Sequence, residues 1–115
     1  YIGGMGSRDK NFYNQLATRM GYEDAAIEIQ EKFMAKDYAG AAAAVPLEFI
    51  DATSLIGPPE RIAKRLPAYA DAGVTNLSVA SFAGTLQERV GTLQVMKEAL
   101  KSSGLGDLDA NRNGQ

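Results

Sequence analysis

Three short stretches of this chain hold residue types whose spacing could do chemistry. Gly3-Gly4-Met5-Gly6 offers bare backbone amides ahead of a helix, an arrangement that can cradle an anion. Its spacing fits neither the dinucleotide fingerprint nor the phosphate-binding P-loop, and close helix packing or a tight turn would use the same glycines. Ser81-Phe82-Ala83-Gly84-Thr85 joins an apolar run to a capped helix start. In α/β barrels such loops, at the carboxyl ends of the strands, hold the ligand, and phosphate groups often lie near the last two strands. Gly57 occupies the equivalent place after an earlier apolar run. Ordinary βα loops with Thr85 as a helix cap account for the same residues. Asp109-Ala110-Asn111-Arg112-Asn113-Gly114 matches the first six positions of a calcium loop. The later carbonyl and the bidentate Glu are missing, so a polar tail explains it better.

The remaining polar residues have simpler roles. Glu23, Asp24, and Glu28 with Lys32 four residues on, read as solvated helix faces. Arg61, Lys64 and Arg65 lie early in a helix where an anionic ligand could meet them, with solvent as the plainer partner. Tyr1 and Tyr13 are candidate hydroxyl donors that fit equally well in a core. The chain has no His and no Cys, which removes imidazole acid–base work, thiol catalysis, disulfides and most zinc chemistry from this stretch. No catalytic constellation emerges: catalytic, none; metal, none.

These residues have to be positioned by the elements between them. Ser7 is placed to cap a helix carrying Phe12, Leu16 and Met20, ended by Gly21. Tyr22, Ala25, Ala26, Ile29 and Phe33 fall on one stripe of a second helix. Asp37 can cap a short alanine-rich helix, and Pro46 suits the first position of a further turn with Leu47, Phe49 and Ile50. Residues 53–56 form a brief apolar run stopped by Gly57-Pro58-Pro59, which predicts a strand. A helix with Ile62, Leu66, Tyr69 and Ala70 on its apolar face follows and ends at Gly73. Pro67 inside it predicts a local kink. Residues 77–80 predict a second strand. Thr85 and Glu88 then form a capping box ahead of a helix with Leu86, Val90, Leu93 and Leu100 as its apolar residues.

The predicted fold class is α/β, a β-α-β-α run behind an all-helical first half. Three segments follow: a helical part over 1–50, the β-α-β-α unit over 51–101, and a loose polar tail over 102–115. Two parallel strands make no core alone, because both faces of such a sheet need covering. The chain is therefore expected to be a piece of something larger. At 115 residues, 45% apolar, 23% charged and net charge −2, it has the composition of an ordinary globular domain. Nothing in it gives an electrostatic reason to bind nucleic acid or an anionic membrane. No apolar run is long enough to cross a bilayer and no signal pattern opens the chain, so a cytoplasmic protein is expected.

Tyr1-Ile2-Gly3-Gly4-Met5-Gly6-Ser7, Lys10-Asn11-Phe12-Tyr13, Met20-Gly21-Tyr22-Glu23, Ser54-Leu55-Ile56-Gly57-Pro58 and Ala72-Gly73-Val74-Thr75, in that order, closely resemble the C-terminal third of luciferase-like oxidoreductases, which use reduced flavin or the deazaflavin coenzyme F420. The resemblance implies a (β/α)8 TIM barrel whose last two strands would be 53–56 and 77–80. It further implies hydride transfer or oxygenation at the barrel mouth, with FMN or coenzyme F420 bound by the full-length protein and no tight binding by this piece. The residues it would contribute to the cofactor site are Gly57, Ser81, Gly84 and Thr85. The expected partners are the remainder of the barrel or another copy of the chain, in a homo-oligomer. A different class fits the same residues: a non-catalytic helical interaction domain whose strand edges a partner chain completes.

Overall fold

The computed structural model describes residues 1–106 and divides the chain into two compact units, Tyr1–Ser54 and Leu55–Gln115. Each is helical. The first unit begins with a glycine-rich turn and a tight Ser7–Lys10 reversal, closed by the Lys10 amide on the Ser7 carbonyl at 3.1 Å. Helix α1, Phe12–Arg19, follows. Its cap is Asn11 rather than Ser7: the Asn11 Oδ1 accepts the Asn14 amide at 3.0 Å. Both residues are of capping type, but the Ser7–Lys10 reversal moves the helix start four residues on.

Helix α2, Glu23–Met34, packs on α1, and α3, Tyr38–Ala43, packs on α2. Asp37 caps α3 by accepting the Gly40 amide at 2.9 Å, and α4, Leu47–Thr53, follows Pro46. Along the expected stripe of α2, Ala26 and Ile29 are buried and form a core with Ile2, Ala17 and Ala41. Phe49 packs against that core from α4. Removing Ile29 from water contributes about 1.5–3 kcal/mol. The small alanines add little area but let the helices approach closely.

In the second unit α5, Pro59–Asp71, and α6, Leu86–Ser102, pack together around Ile62, Ala63, Leu66 and Ala99, with Leu55 and Met96 at the edge. Pro67 lies inside α5. Having no amide, it leaves the Ala63 carbonyl without its usual helical donor. The capping box at α6 forms as expected: the Thr85 hydroxyl accepts the Glu88 amide while Glu88 accepts the Thr85 amide. The buried face of α6 differs from the expected one. Met96 and Ala99 face α5, while Leu86, Val90, Leu93 and Leu100 are exposed.

The α/β expectation is overturned. Among the described residues there is no strand and no sheet, hence no barrel element, and the one β-type pairing is the isolated Ser7–Lys10 bridge. Thr53 belongs to the end of α4, and Ser54 is extended, with φ −139° and ψ 153°. Leu55 turns into the α5–α6 core instead of joining a ladder. Residues 77–80 run without regular structure, with Leu77 and Val79 exposed. The cause is the absence of a neighbour: an apolar run becomes a strand only when another backbone accepts and donates its hydrogen bonds.

Candidate functional site

The four residues expected to face a ligand all lie in the second unit, at the starts of its two helices. Gly57 has φ +119°, a conformation open to glycine, and a Cβ built on it would stand 3.0 Å from Arg61 Cδ. Arg61 folds back over this turn, its Nη1 donating to the Ile56 carbonyl at 2.7 Å. The guanidinium closes the turn that starts α5.

The second loop is tied to α6. The Ser81 hydroxyl donates to Thr92 Oγ1 at 3.1 Å and accepts the Ala83 amide at 3.4 Å. Arg89 Nε donates to the Ala83 carbonyl at 2.9 Å. Gly84 is exposed, and Thr85 is the α6 cap. Ser81, Gly84 and Thr85 thus share one loop, while Gly57 belongs to another; the hydrogen bonds described hold each loop to its own helix.

Electrostatics decide what the α6 end can hold. A helix N-terminus attracts an anion, and the Glu88 carboxylate already sits there. The Thr85 backbone amide, then the Thr85 hydroxyl and the Gly84 backbone, hold Glu88 below the usual carboxylate range. A phosphate would have to displace that carboxylate.

The first unit carries a concavity lined almost wholly by apolar side chains. It is an open trough of about 340 Å³, within the range of small-molecule pockets. Ile2, Ile29, Phe33, Tyr38, Val45 and Phe49 give it an apolar lining, and Ala41 and Ala42 provide the room. Its side-chain polar groups are the hydroxyls of Tyr1, Tyr38, Thr53 and Ser54, with no charged residue. Phe33 and Tyr38 meet edge to face, their ring centres 4.9 Å apart. The trough suits an uncharged apolar surface and has no acid or base to offer. Sequence reasoning passed over it, because its one signal is missing bulk in the run Ala41 to Ala44.

The glycine-rich turn is held by amide side chains. Asn11, 1% exposed, donates through Nδ2 to the Ile2 carbonyl at 2.9 Å. Asn14 Nδ2 donates to Ile2 at 3.3 Å and to the Ala26 carbonyl at 2.7 Å. Buried Gln30 donates to the Arg8 carbonyl at 3.2 Å. Gly3 and Gly4 press on the Phe33 ring, so close packing accounts for them. Tyr1 and Tyr13 meet each other, ring centres 4.9 Å apart. Glu28 and Lys32 form the surface ion pair their spacing foretold, and the hydrogen bond that Lys32 Nζ donates to the Glu28 carboxylate raises the Lys32 ammonium above its ordinary value.

Among the described residues no group of three His, Cys, Asp or Glu side chains could hold a metal. The expected partial calcium loop, 109–114, lies outside the described residues. No described helix is long and apolar enough to cross a membrane. Nor do these residues fit a phosphate-bearing flavin or deazaflavin on their own: the trough has no cation, and Glu88 occupies the anion-attracting end of α6.

Comparison with known proteins supplies what the geometry leaves open. The family profile described as luciferase-like monooxygenase matches residues 1–76. A Mycobacterium tuberculosis protein described as a coenzyme F420-dependent oxidoreductase is 32% identical over 79 residues, covering 69% of this chain and 23% of the relative. The chain thus spans about a quarter of the length of the curated relative it matches. No solved structure matches. The family match covers the glycine-rich turn, α1 to α5 and the start of the extended segment, and by that match the chain belongs to the luciferase-like monooxygenase family.

Proposed function

We propose that this chain is part of an oxidoreductase that uses coenzyme F420 or FMN for hydride transfer or oxygenation. The observation that carries this reading is the family match over residues 1–76, joined to the identity with a relative described as F420-dependent. In such enzymes the cofactor does the redox chemistry, and the protein supplies orientation and a dry pocket. This chain's own contribution is structural. The Asn11 and Asn14 amides hold the glycine-rich turn against α2, and the Ser81 and Thr85 hydrogen bonds fix the loop ahead of α6.

Where the chain touches ligand, Gly57, Ser81, Gly84 and Thr85 are the residues that would do so. The rest of a luciferase-like chain supplies the remainder of the site. The 115 residues alone therefore do not turn over substrate. The test is a coenzyme titration of a full-length family member carrying this sequence. Gly57→Val and Ser81→Ala weaken binding several-fold without loss of helix content; unchanged affinity in both would remove these residues from the site.

A further inference from the structure

The loop ahead of α6 carries a chain of hydrogen bonds whose two ends fix its direction. The Ala83 amide donates to the Ser81 hydroxyl at 3.4 Å, the Ser81 hydroxyl donates to Thr92 Oγ1 at 3.1 Å, and the Thr92 hydroxyl donates to the Glu88 carbonyl at 3.1 Å. An amide N–H can only donate and a carbonyl can only accept, so both hydroxyl hydrogens run toward Glu88. A hydroxyl has one hydrogen and two lone pairs. Ser81 has therefore spent its hydrogen on Thr92 and one lone pair on Ala83, and a single lone pair is what it keeps. Thr92, bonded back to the carbonyl four residues earlier in α6, is the group that takes the Ser81 hydrogen. Arg89 Nε pins the same loop through the Ala83 carbonyl. Every partner lies between residues 81 and 92, so this order is set within the loop and its own helix.

The charged group at this loop is an acceptor as well. Glu88 Oε2 lies 3.1 Å from the Thr85 amide and 3.0 Å from the Thr85 hydroxyl, and 4.0 Å from where a Cβ on Gly84 would stand. A carboxylate in that place and a serine that can only accept both repel a phosphate, and both suit a hydrogen-bond donor. We propose, resting on the reading that Ser81 meets the coenzyme, that Ser81 accepts a hydrogen bond from an uncharged N–H or O–H of that coenzyme. Thr92 is the positioning residue that leaves Ser81 an acceptor, and Glu88 keeps phosphate away from the loop. FMN and coenzyme F420 share the required donors, a ring imide N–H and side-chain hydroxyls. Their phosphate is then held by other parts of the protein, which reverses the expectation that phosphate lies near this loop.

The test is a set of equilibrium titrations on a full-length family member carrying this sequence, with FMN or coenzyme F420 and with the phosphate-free form of each, helix content being checked by circular dichroism. Ser81→Ala and Thr92→Val should each weaken binding about two- to ten-fold, the size of one lost hydrogen bond. Thr92→Ser, which keeps the hydroxyl, should bind as the parent does. Because Thr92 acts through Ser81, Thr92→Val made on top of Ser81→Ala should cost nothing more. The losses should be the same for the phosphate-free coenzyme. Methylating the ring imide nitrogen should abolish the Ser81→Ala effect where the imide is the donor and leave it intact where a side-chain hydroxyl is. Losses confined to the phosphate-bearing form, additive losses in the double variant, or a Thr92→Ser variant as weak as Thr92→Val would overturn the proposal. Failure here is distinct from failure of the redox reading. A folded parent that binds neither coenzyme fails both, whereas a parent that binds one, weakened by Ser81→Ala and unchanged by Thr92→Val, fails this proposal alone.

Discussion

Gly3 and Phe33 approach so closely that a Cβ on the glycine would stand 2.6 Å from the Phe33 Cβ. Gly4 is tighter still, with the far end of the same ring in the way. The turn that opens the chain lies on α2 only because two successive residues have no side chain. Gly3→Ala and Gly4→Ala should each destabilise the first unit by about 1–3 kcal/mol through overpacking. Urea denaturation measures this, and pairing Gly4→Ala with Phe33→Leu, which removes the ring edge the new Cβ would meet, should recover part of the loss. Strict additivity in that cycle would mean that the ring is not the obstacle.

Asn11 serves two structures at once, capping α1 through Oδ1 and holding the Ile2 carbonyl through Nδ2. Asn11→Ala should cost about 1–3 kcal/mol, since it loses the cap and strands a buried carbonyl. Asn11→Asp keeps the cap acceptor but turns an oxygen toward the Ile2 carbonyl. Thermal melts should rank Asn11 above Asn11→Asp, and a variant as stable as the parent would show that the amide donor is unimportant.

Lys36 is the one described non-glycine residue with positive φ, at 63°, just after α2 ends. Left-handed backbone costs a residue with a Cβ about 1–2 kcal/mol, partly offset by the greater freedom of glycine in the unfolded chain. Lys36→Gly should therefore raise stability by up to about 1 kcal/mol, and Lys36→Val should lower it. Equal melting temperatures for the two would contradict the backbone assignment.

Glu88 has a folded-state pKa below its unfolded value because the Thr85 amide and hydroxyl favour its charged form. Its contribution is present above the unfolded pKa and is lost as pH falls through the folded one. Thr85→Ala keeps the backbone amide, the larger cause, and removes the hydroxyl, so it should move the Glu88 titration, followed by side-chain NMR, part of the way back toward the ordinary carboxylate value. An unshifted titration would mean that the hydroxyl does not help to hold the carboxylate.

Local chemistry was the legible part of this chain. The Thr85–Glu88 box, the Asp37 cap and the Ala26 and Ile29 stripe follow from short-range rules, in which a side chain and a backbone amide a few residues apart decide the outcome. What failed needed a distant partner. Residues 77–80 have the composition of a strand, yet strand formation is a property of a pair, and the described residues hold no second backbone for them. The apolar face of α6 was misassigned because Leu86, Val90, Leu93 and Leu100 outweigh Met96 and Ala99 in hydrophobicity, whereas the small Ala99 is what lets α6 approach α5. The ordered resemblance pointed to the family that the comparison establishes. The trough in the first unit stayed hidden, since empty space left by alanines has no motif.

The most direct measurement of the central claim is an equilibrium titration of a full-length family member carrying this sequence with coenzyme F420 and, separately, FMN, followed by cofactor fluorescence. The account predicts saturable one-to-one binding of one of the two coenzymes. Titrations with no saturable signal for either coenzyme, on protein shown to be folded, would contradict it.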